Sequence, residues 1–372
     1  MHIKVERVLI YRLGSLGDTV VALPCFHQIA RSYPRAERCL LTNIPVDSKA
    51  PPAFAVLEGS GLVHGYMRYP IATRNVTELA ELQRQIRAFG AQALIYLTPR
   101  RVAVDAARDA LFFHLCGIQR VIGLPLARDA RTNRLDPVTG EYEPEAARLA
   151  RLMRGLGKID LNNRANWDLG LTIEEHTRAA AALASLHGRP LIACGVGTKM
   201  QAKDWGGENW RSVLDALARE LPQYGLALVG AGEEAEVSAS ASAAWAGRSI
   251  NLCGELTPRE SAALLARARL FLGHDSGPMH LAAAVGTQCV VVFAARTPPR
   301  IWFPWGDQHE VIYHRTDCAG CELEICIEEK KKCLTSIAPE ELLGAVRRAL
   351  ARNATSSAGT VIDFSPSRNK DI

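Results

Sequence analysis

Short apolar runs alternate with segments of helical periodicity over most of this chain. Val8-Leu9-Ile10-Tyr11 reads as a strand; a glycine-rich turn follows, then a helical pattern over 18–31. Cys39-Leu40-Leu41-Thr42 reads as the next strand. Leu79, Leu82, Ile86 and Phe89 recur at helical spacing, 93–97 and 121–123 read as strands, and 146–156 as a helix. The pattern then restarts. Leu191-Ile192-Ala193-Cys194 is a strand running into Gly195, Trp210, Val213, Leu214 and Leu217 mark a helix, and 226–229, 270–272 and 290–293 are further strands. A last helix is predicted over 339–350, with proline in its first turn.

Strands that are apolar throughout, separated by helices, predict parallel sheets covered on both faces. Two such series, flanking the weakly patterned segment 162–189, predict two doubly wound domains, at 1–170 and 188–350. A ligand cleft is expected between them, at the carboxyl ends of the strands. The polar segment 353–372 reads as a loose tail.

Composition narrows the classes. The chain has 372 residues, 48% hydrophobic and 22% charged, which is globular rather than disordered or collagenous. No apolar run is long enough to span a membrane, and the N-terminus lacks a signal-peptide layout, so a cytoplasmic address is expected. The formal net charge of +5 favours an anionic ligand and gives no case for nucleic acid. The sequence holds ten cysteines, and four of them, Cys318, Cys321, Cys326 and Cys333, crowd together as C-x2-C-x4-C-x6-C. Four thiolates can complete a tetrahedral zinc or iron site, but the spacing is not that of a zinc ribbon, and a reduced or oxidised thiol cluster is the alternative. If metal binds, it staples a loop, with no position open for catalysis.

Four motifs follow strand ends. Arg12-Leu-Gly-Ser-Leu-Gly-Asp18 places glycines in a tight turn and Asp18 at a helix start. Asp18 is either an acid favoured by the helix dipole or a general base in the cleft. Gly195-Val-Gly-Thr-Lys-Met-Gln-Ala-Lys203 offers backbone N–H groups, Thr198 and two lysines to a phosphate, or else forms a solvated basic loop. Gly230-Ala-Gly-Glu-Glu-Ala235 matches a dinucleotide fingerprint weakly, because no acid ends the next strand-like run. A strand-to-helix turn with Glu234 free to meet a ribose is the stronger reading. In Gly273-His-Asp275-Ser276-Gly277-Pro-Met-His280, a strand ends and a helix begins at Pro278, which makes an anion site at the helix N-terminus with His280 one turn in.

RLGSLGDTVVALP, GTKMQAKDW and HDSGPMHLAAAVGT, in that order, resemble glycosyltransferase family 9, the ADP-heptose-dependent heptosyltransferases of lipopolysaccharide assembly. The resemblance runs from about residue 5 to 350. It implies an α/β GT-B fold, two Rossmann-like domains facing a central cleft, and an inverting transfer that needs no catalytic cofactor. Asp18 would take the proton of the acceptor hydroxyl. On the donor side, Thr198 and Lys203 would hold the pyrophosphate, Glu234 the nucleoside, and Gly17, Asp275, Ser276 and Gly277 would line the site, supported by His280.

Two stretches depart from the family pattern. Ala294-Ala-Arg-Thr-Pro298 stands where many members have Gly-Pro-Thr-Asp-Pro, and the segment after residue 97 carries Arg100 and Arg101 in place of an acidic residue. Those arginines, with Arg108, would meet an anionic acceptor or form a solvated face. The implied partners are an ADP-sugar donor and a lipid-linked or protein-linked saccharide acceptor, with peripheral contact at the cytoplasmic face of the inner membrane. The competing readings are the same transfer onto a protein or exopolysaccharide intermediate, an NAD-dependent oxidoreductase, and a non-catalytic sugar-nucleotide-binding protein.

Overall fold

The computed structural model describes residues 5–44, 51–70, 75–98 and 102–357. Its strands form two parallel sheets. The first contains β1 (Arg7–Tyr11), β2 (Glu37–Asn43), β3 (Gly65–Tyr69), β4 (Ala93–Tyr96) and β5 (Arg120–Ile122), in the order β3-β2-β1-β4-β5. The second contains β6 (Leu191–Gly195), β7 (Gly225–Leu228), β8 (Ser249–Asn251), β9 (Ala268–His274), β10 (Cys289–Phe293) and β11 (Glu310–Tyr313), in the order β11-β10-β9-β6-β7-β8. Counted from β6, this is the doubly wound order of the Rossmann fold.

Both sheets reverse direction next to their first strand. β1 lies beside β4, and β6 lies beside β9, in parallel register. At such a switch point the two connections leave on opposite faces and open a crevice. The loops after β1, β6 and β9 carry three of the four motifs read from the sequence.

Residues Val8, Leu9, Ile10 and Tyr11 of β1 and all of β10 are buried, as uniformly apolar strands require. The edge strands β3 and β11 are half-buried and mixed in character, and sequence periodicity does not pick them out. The helix expected over 18–31 begins at Leu16 and is broken at Ala22 into Leu16–Val21 and Leu23–Ser32, with Pro24 in the first turn of the second. The segment 162–189 holds a helix, Ile173–Ala182, with a Thr172/Glu175 capping box. The last helix runs Pro339–Ser357, so 353–357 continue it rather than start a loose tail. Residues 358–372 lie outside the described residues.

The two sheets share one apolar core, which joins residues of β1 and the helix Leu16–Val21 to residues of β6, β9 and the helix Gly277–Ala284. Polar ties reinforce it. Buried Arg259 grips Glu175 through Nε and Nη2 and donates from Nη1 to the carbonyls of Val56 and Leu169, each at 2.8 Å. Trp167 stacks on Trp305 at 5.8 Å between ring centroids. Among the described residues no helix is long and apolar enough to cross a membrane.

Candidate active site

A cleft of about 480 Å³ opens between the two sheets and is lined by the ends of β1, β6, β7 and β9. Asp18, Gly17 and Ser15 line it from the first half; Thr198, Lys203, Glu234, Asp275, Ser276, Gly277 and His280 line it from the second. The structure thus brings together the candidate residues read from three separate motifs and the glycine-rich turn after β7.

Asp18 sits in the first turn of the helix Leu16–Val21. Its Oδ2 accepts the Ser15 N–H at 2.9 Å and the Ser15 hydroxyl at 3.0 Å. Arg12, buried at the end of β1, donates to the Leu97 carbonyl at 3.0 Å and the Asp18 carbonyl at 2.5 Å. Its Nη2 lies 3.8 Å from Asp18 Oδ1. One carboxylate oxygen is therefore tied down, and the other faces a buried positive charge. Ser15 and Arg12 stand inside the quoted motif, yet a serine at a helix start and an arginine at a strand end carry no distinctive spacing.

The opposite wall carries an ion-paired lysine and a helix N-terminus. Lys203 Nζ pairs with Asp275 Oδ2 at 2.7 Å and donates to the Asp275 carbonyl at 3.2 Å. Ser276 occupies the N-cap of the helix Gly277–Ala284, but its hydroxyl donates back to the His274 carbonyl at 3.3 Å. No side chain caps that helix, so its first N–H groups and dipole are left for an anion. His280 is buried and lies edge-on to Trp302, with 6.4 Å between ring centroids. Burial pushes it down to about 4, against the opposing pull of the Asp275 and Asp18 charges. It is a neutral imidazole that touches both walls electrostatically.

Two glycines let the walls meet. A Cβ on Gly17 would fall 2.9 Å from His280 Cδ2, and one on Gly277 would fall 2.8 Å from Leu16 Cδ2. Both distances are closer than carbon atoms approach, so each half supplies a glycine where the other half's side chain presses in. A second glycine pair makes room for Glu234: a Cβ on Gly197 would lie 2.4 Å from its carboxyl carbon, and one on Gly230 would lie 2.2 Å from Oε2. Glu234 also accepts the Ala231 N–H at 3.0 Å, and burial raises its carboxyl above the ordinary range. The glycine spacing after β7 thus houses a carboxyl group, which removes the motivation for a dinucleotide fingerprint.

The remaining candidates are arranged differently. Arg100 and Arg101 lie outside the described residues. Arg108 is ion-paired with Asp105 at 3.1 Å and with Asp109 at 3.2 Å on an exposed face. The four clustered cysteines are free: Cys321 is exposed, Cys318 and Cys326 are half-buried, and Cys333 is buried. Among the described residues no group of three or more His, Cys, Asp or Glu side chains stands together as a metal site. The tetrahedral thiolate set, one of the two arrangements read from the spacing, is not gathered among the described residues. The cleft also includes residues that the sequence patterns missed, among them Pro51, Leu256 and Trp302, and it includes Arg296 of the stretch that departs from the family pattern.

Two facing doubly wound sheets, with the cleft at their switch points, define an α/β protein of GT-B architecture. A family model described as glycosyltransferase family 9 (heptosyltransferase) matches residues 110–332, and the chain belongs to that family. Solved structures agree on the fold. The glycosyltransferase family 9 protein from Veillonella parvula DSM 2008 has a TM-score of 0.71 at 20% identity, over 95% of this chain and 99% of that one. E. coli ADP-heptose lps heptosyltransferase II has a TM-score of 0.65 at 17% identity, over 94% and 99%. Among curated relatives, lipooligosaccharide heptosyltransferase 2 of Campylobacter jejuni is 29% identical over 101 residues, which is 27% of this chain and 31% of the relative. The chain thus aligns with about a third of that relative's length.

Proposed function

We propose that the protein is an inverting glycosyltransferase that moves heptose from ADP-heptose to a saccharide acceptor of the lipopolysaccharide inner core. The observation that carries this reading is the pairing of opposite chemistries across one cleft. Asp18 faces it from the first half, and Lys203 with an uncapped helix N-terminus faces it from the second.

In this reading the acceptor hydroxyl attacks the anomeric carbon from the face opposite the diphosphate. The new C–O bond forms as the bond to the diphosphate oxygen breaks, and inversion follows. The hydroxyl proton passes to Asp18 Oδ1, the oxygen that Ser15 leaves unbound. A carboxylate suffices as base, because the attacking oxygen becomes acidic only as its bond to carbon forms. The departing ADP gains negative charge, which Lys203 and the N–H groups of the helix Gly277–Ala284 stabilise without reorganising. Thr198 adds a hydroxyl to the diphosphate, and Glu234 meets the nucleoside. His280, held neutral, fills the floor between Asp18 and Asp275 without adding charge. The transfer would run at the cytoplasmic face of the inner membrane, where a lipid-linked acceptor is presented.

A donor panel tests the proposal. The protein is incubated with a heptose-free inner-core acceptor and, separately, ADP-heptose, UDP-glucose and GDP-mannose, and the acceptor mass is followed. A heptose increment with ADP-heptose alone is expected. Transfer from a UDP- or GDP-sugar in preference would overturn the donor assignment.

A further inference from the structure

The cysteine-bearing loop takes no part in the chemistry above, yet it is sewn to both loops that face the donor. On one side, Gln201 spans the backbone of Cys326: its Oε1 accepts the Cys326 N–H at 2.8 Å, and its Nε2 donates to the Cys326 carbonyl at 3.4 Å. The neighbouring Ala202 N–H donates to the Glu324 carbonyl at 3.0 Å. Lys331 Nζ reaches the Asp204 carbonyl at 2.6 Å. These contacts bracket Lys203.

On the other side, Gly320 and Glu322 donate their N–H groups to the carbonyls of Ala295 and Arg296, each at 2.8 Å. Arg296, which lines the cleft, turns its guanidinium to the carbonyls of Leu323 at 2.7 Å and Glu322 at 2.6 Å. The segment between these ties has no regular structure, and Leu323 and Ile325 are exposed. Its path is set by the two donor-facing loops, and theirs by it, because it has no core of its own to hold it.

We infer that this loop is a strap that keeps the 198–204 and 295–297 loops in register for the donor, and that Gln201 is a positioning residue acting through Cys326. The inference rests on reading the cleft as the ADP-sugar site. Gln201 does not line the cleft, so its effect is indirect. Linkage adds a second consequence: if ADP binding requires the strapped arrangement, bound ADP must hold the strap closed by the same factor.

The test joins calorimetry to thiol labelling on the full-length protein. ADP Kd is measured for wild type, Gln201→Ala, Gln201→Glu and Lys331→Met. A rise of about tenfold is expected for Gln201→Ala, the loss of two hydrogen bonds. Gln201→Glu, which keeps the acceptor for the Cys326 N–H, should recover part of it. Lys331→Met should weaken ADP in the same direction, and the melting temperature of each variant separates this from unfolding. In parallel, iodoacetamide labelling of Cys326 is followed by mass spectrometry, with a free cysteine-containing peptide in the same tube as the reference. Saturating ADP should slow Cys326 relative to that peptide. Unchanged ADP affinity in folded variants, with an unchanged labelling ratio, would overturn the strap alone. Failure of the wild type to bind ADP would instead overturn the donor reading, and the strap with it.

Discussion

Ser15 holds one oxygen of Asp18 twice, through its backbone N–H at 2.9 Å and its hydroxyl at 3.0 Å. The contact closes the first turn of a helix, and in the proposed reaction it also aims the base. Both donors stabilise the charged carboxylate. Ser15→Ala removes one of them. It should lower kcat about tenfold, as expected for a hydrogen bond to a charged group. A purely structural role would lower the melting temperature and leave kcat of the folded protein in place.

Lys203 and Asp275 form the second relationship on which the account depends, at 2.7 Å. The pair fixes the ammonium at the mouth of the helix Gly277–Ala284, where leaving-group charge develops. Lys203→Ala should cost on the order of 10²–10³ in kcat, the range for removal of one preorganised stabiliser. Asp275→Asn keeps the shape but releases the ammonium, so it should show a smaller loss. Steady-state kinetics at saturating donor distinguish the two.

Gly17→Ala and Gly277→Ala press a methyl group onto His280 and Leu16 respectively. Overpacking of this kind costs about 1–3 kcal/mol. Both substitutions push the halves apart, so both should lower stability in thermal melts and weaken donor binding together. Gly65→Ala, where no atom lies near the added Cβ, is the control and should leave donor binding as it is.

The pH dependence of stability follows from three histidines, of which His274 and His280 are buried and His309 is half-buried. Burial pushes His274, His280 and His309 each down to about 4, against an ordinary value of 6.5. Between those values the unfolded chain binds protons that the folded chain does not, so stability rises with pH through that window. It is complete above about 6.5 and is lost as pH falls toward 4. Denaturant melts between pH 4 and 8 should show this slope. His309 accepts the Cys289 N–H at 3.0 Å, away from the cleft. His309→Gln should reduce the slope by up to one proton, and an unchanged slope would contradict the assignment.

The central strands and the four glycine motifs were legible because burial on both faces forces an unbroken apolar run, and a switch-point turn forces glycine. Resemblance to the family added what spacing could not, the roles proposed for Asp18 and Lys203. The edge strands β3 and β11 were not legible, since exposed Arg68 and half-buried Glu310 dilute their pattern. Nor was the work of Gly17, Gly197, Gly230 and Gly277 as spacers, because the side chains they admit come from distant parts of the chain or, for Glu234, from the far side of a turn. The cysteine spacing left a metal staple and a thiol cluster both open, and it gave no sign that the loop is tied by backbone carbonyls and Gln201.

The most direct test of the account is heptose transfer from ADP-heptose by Asp18→Asn beside the wild type, with ADP binding measured on the same samples. The account expects transfer to fall by about 10²–10⁴, the contribution of a general base, while ADP affinity stays within about twofold, since a carboxylate-to-amide change on the far wall leaves the donor site intact. Transfer by Asp18→Asn at the wild-type rate would contradict it.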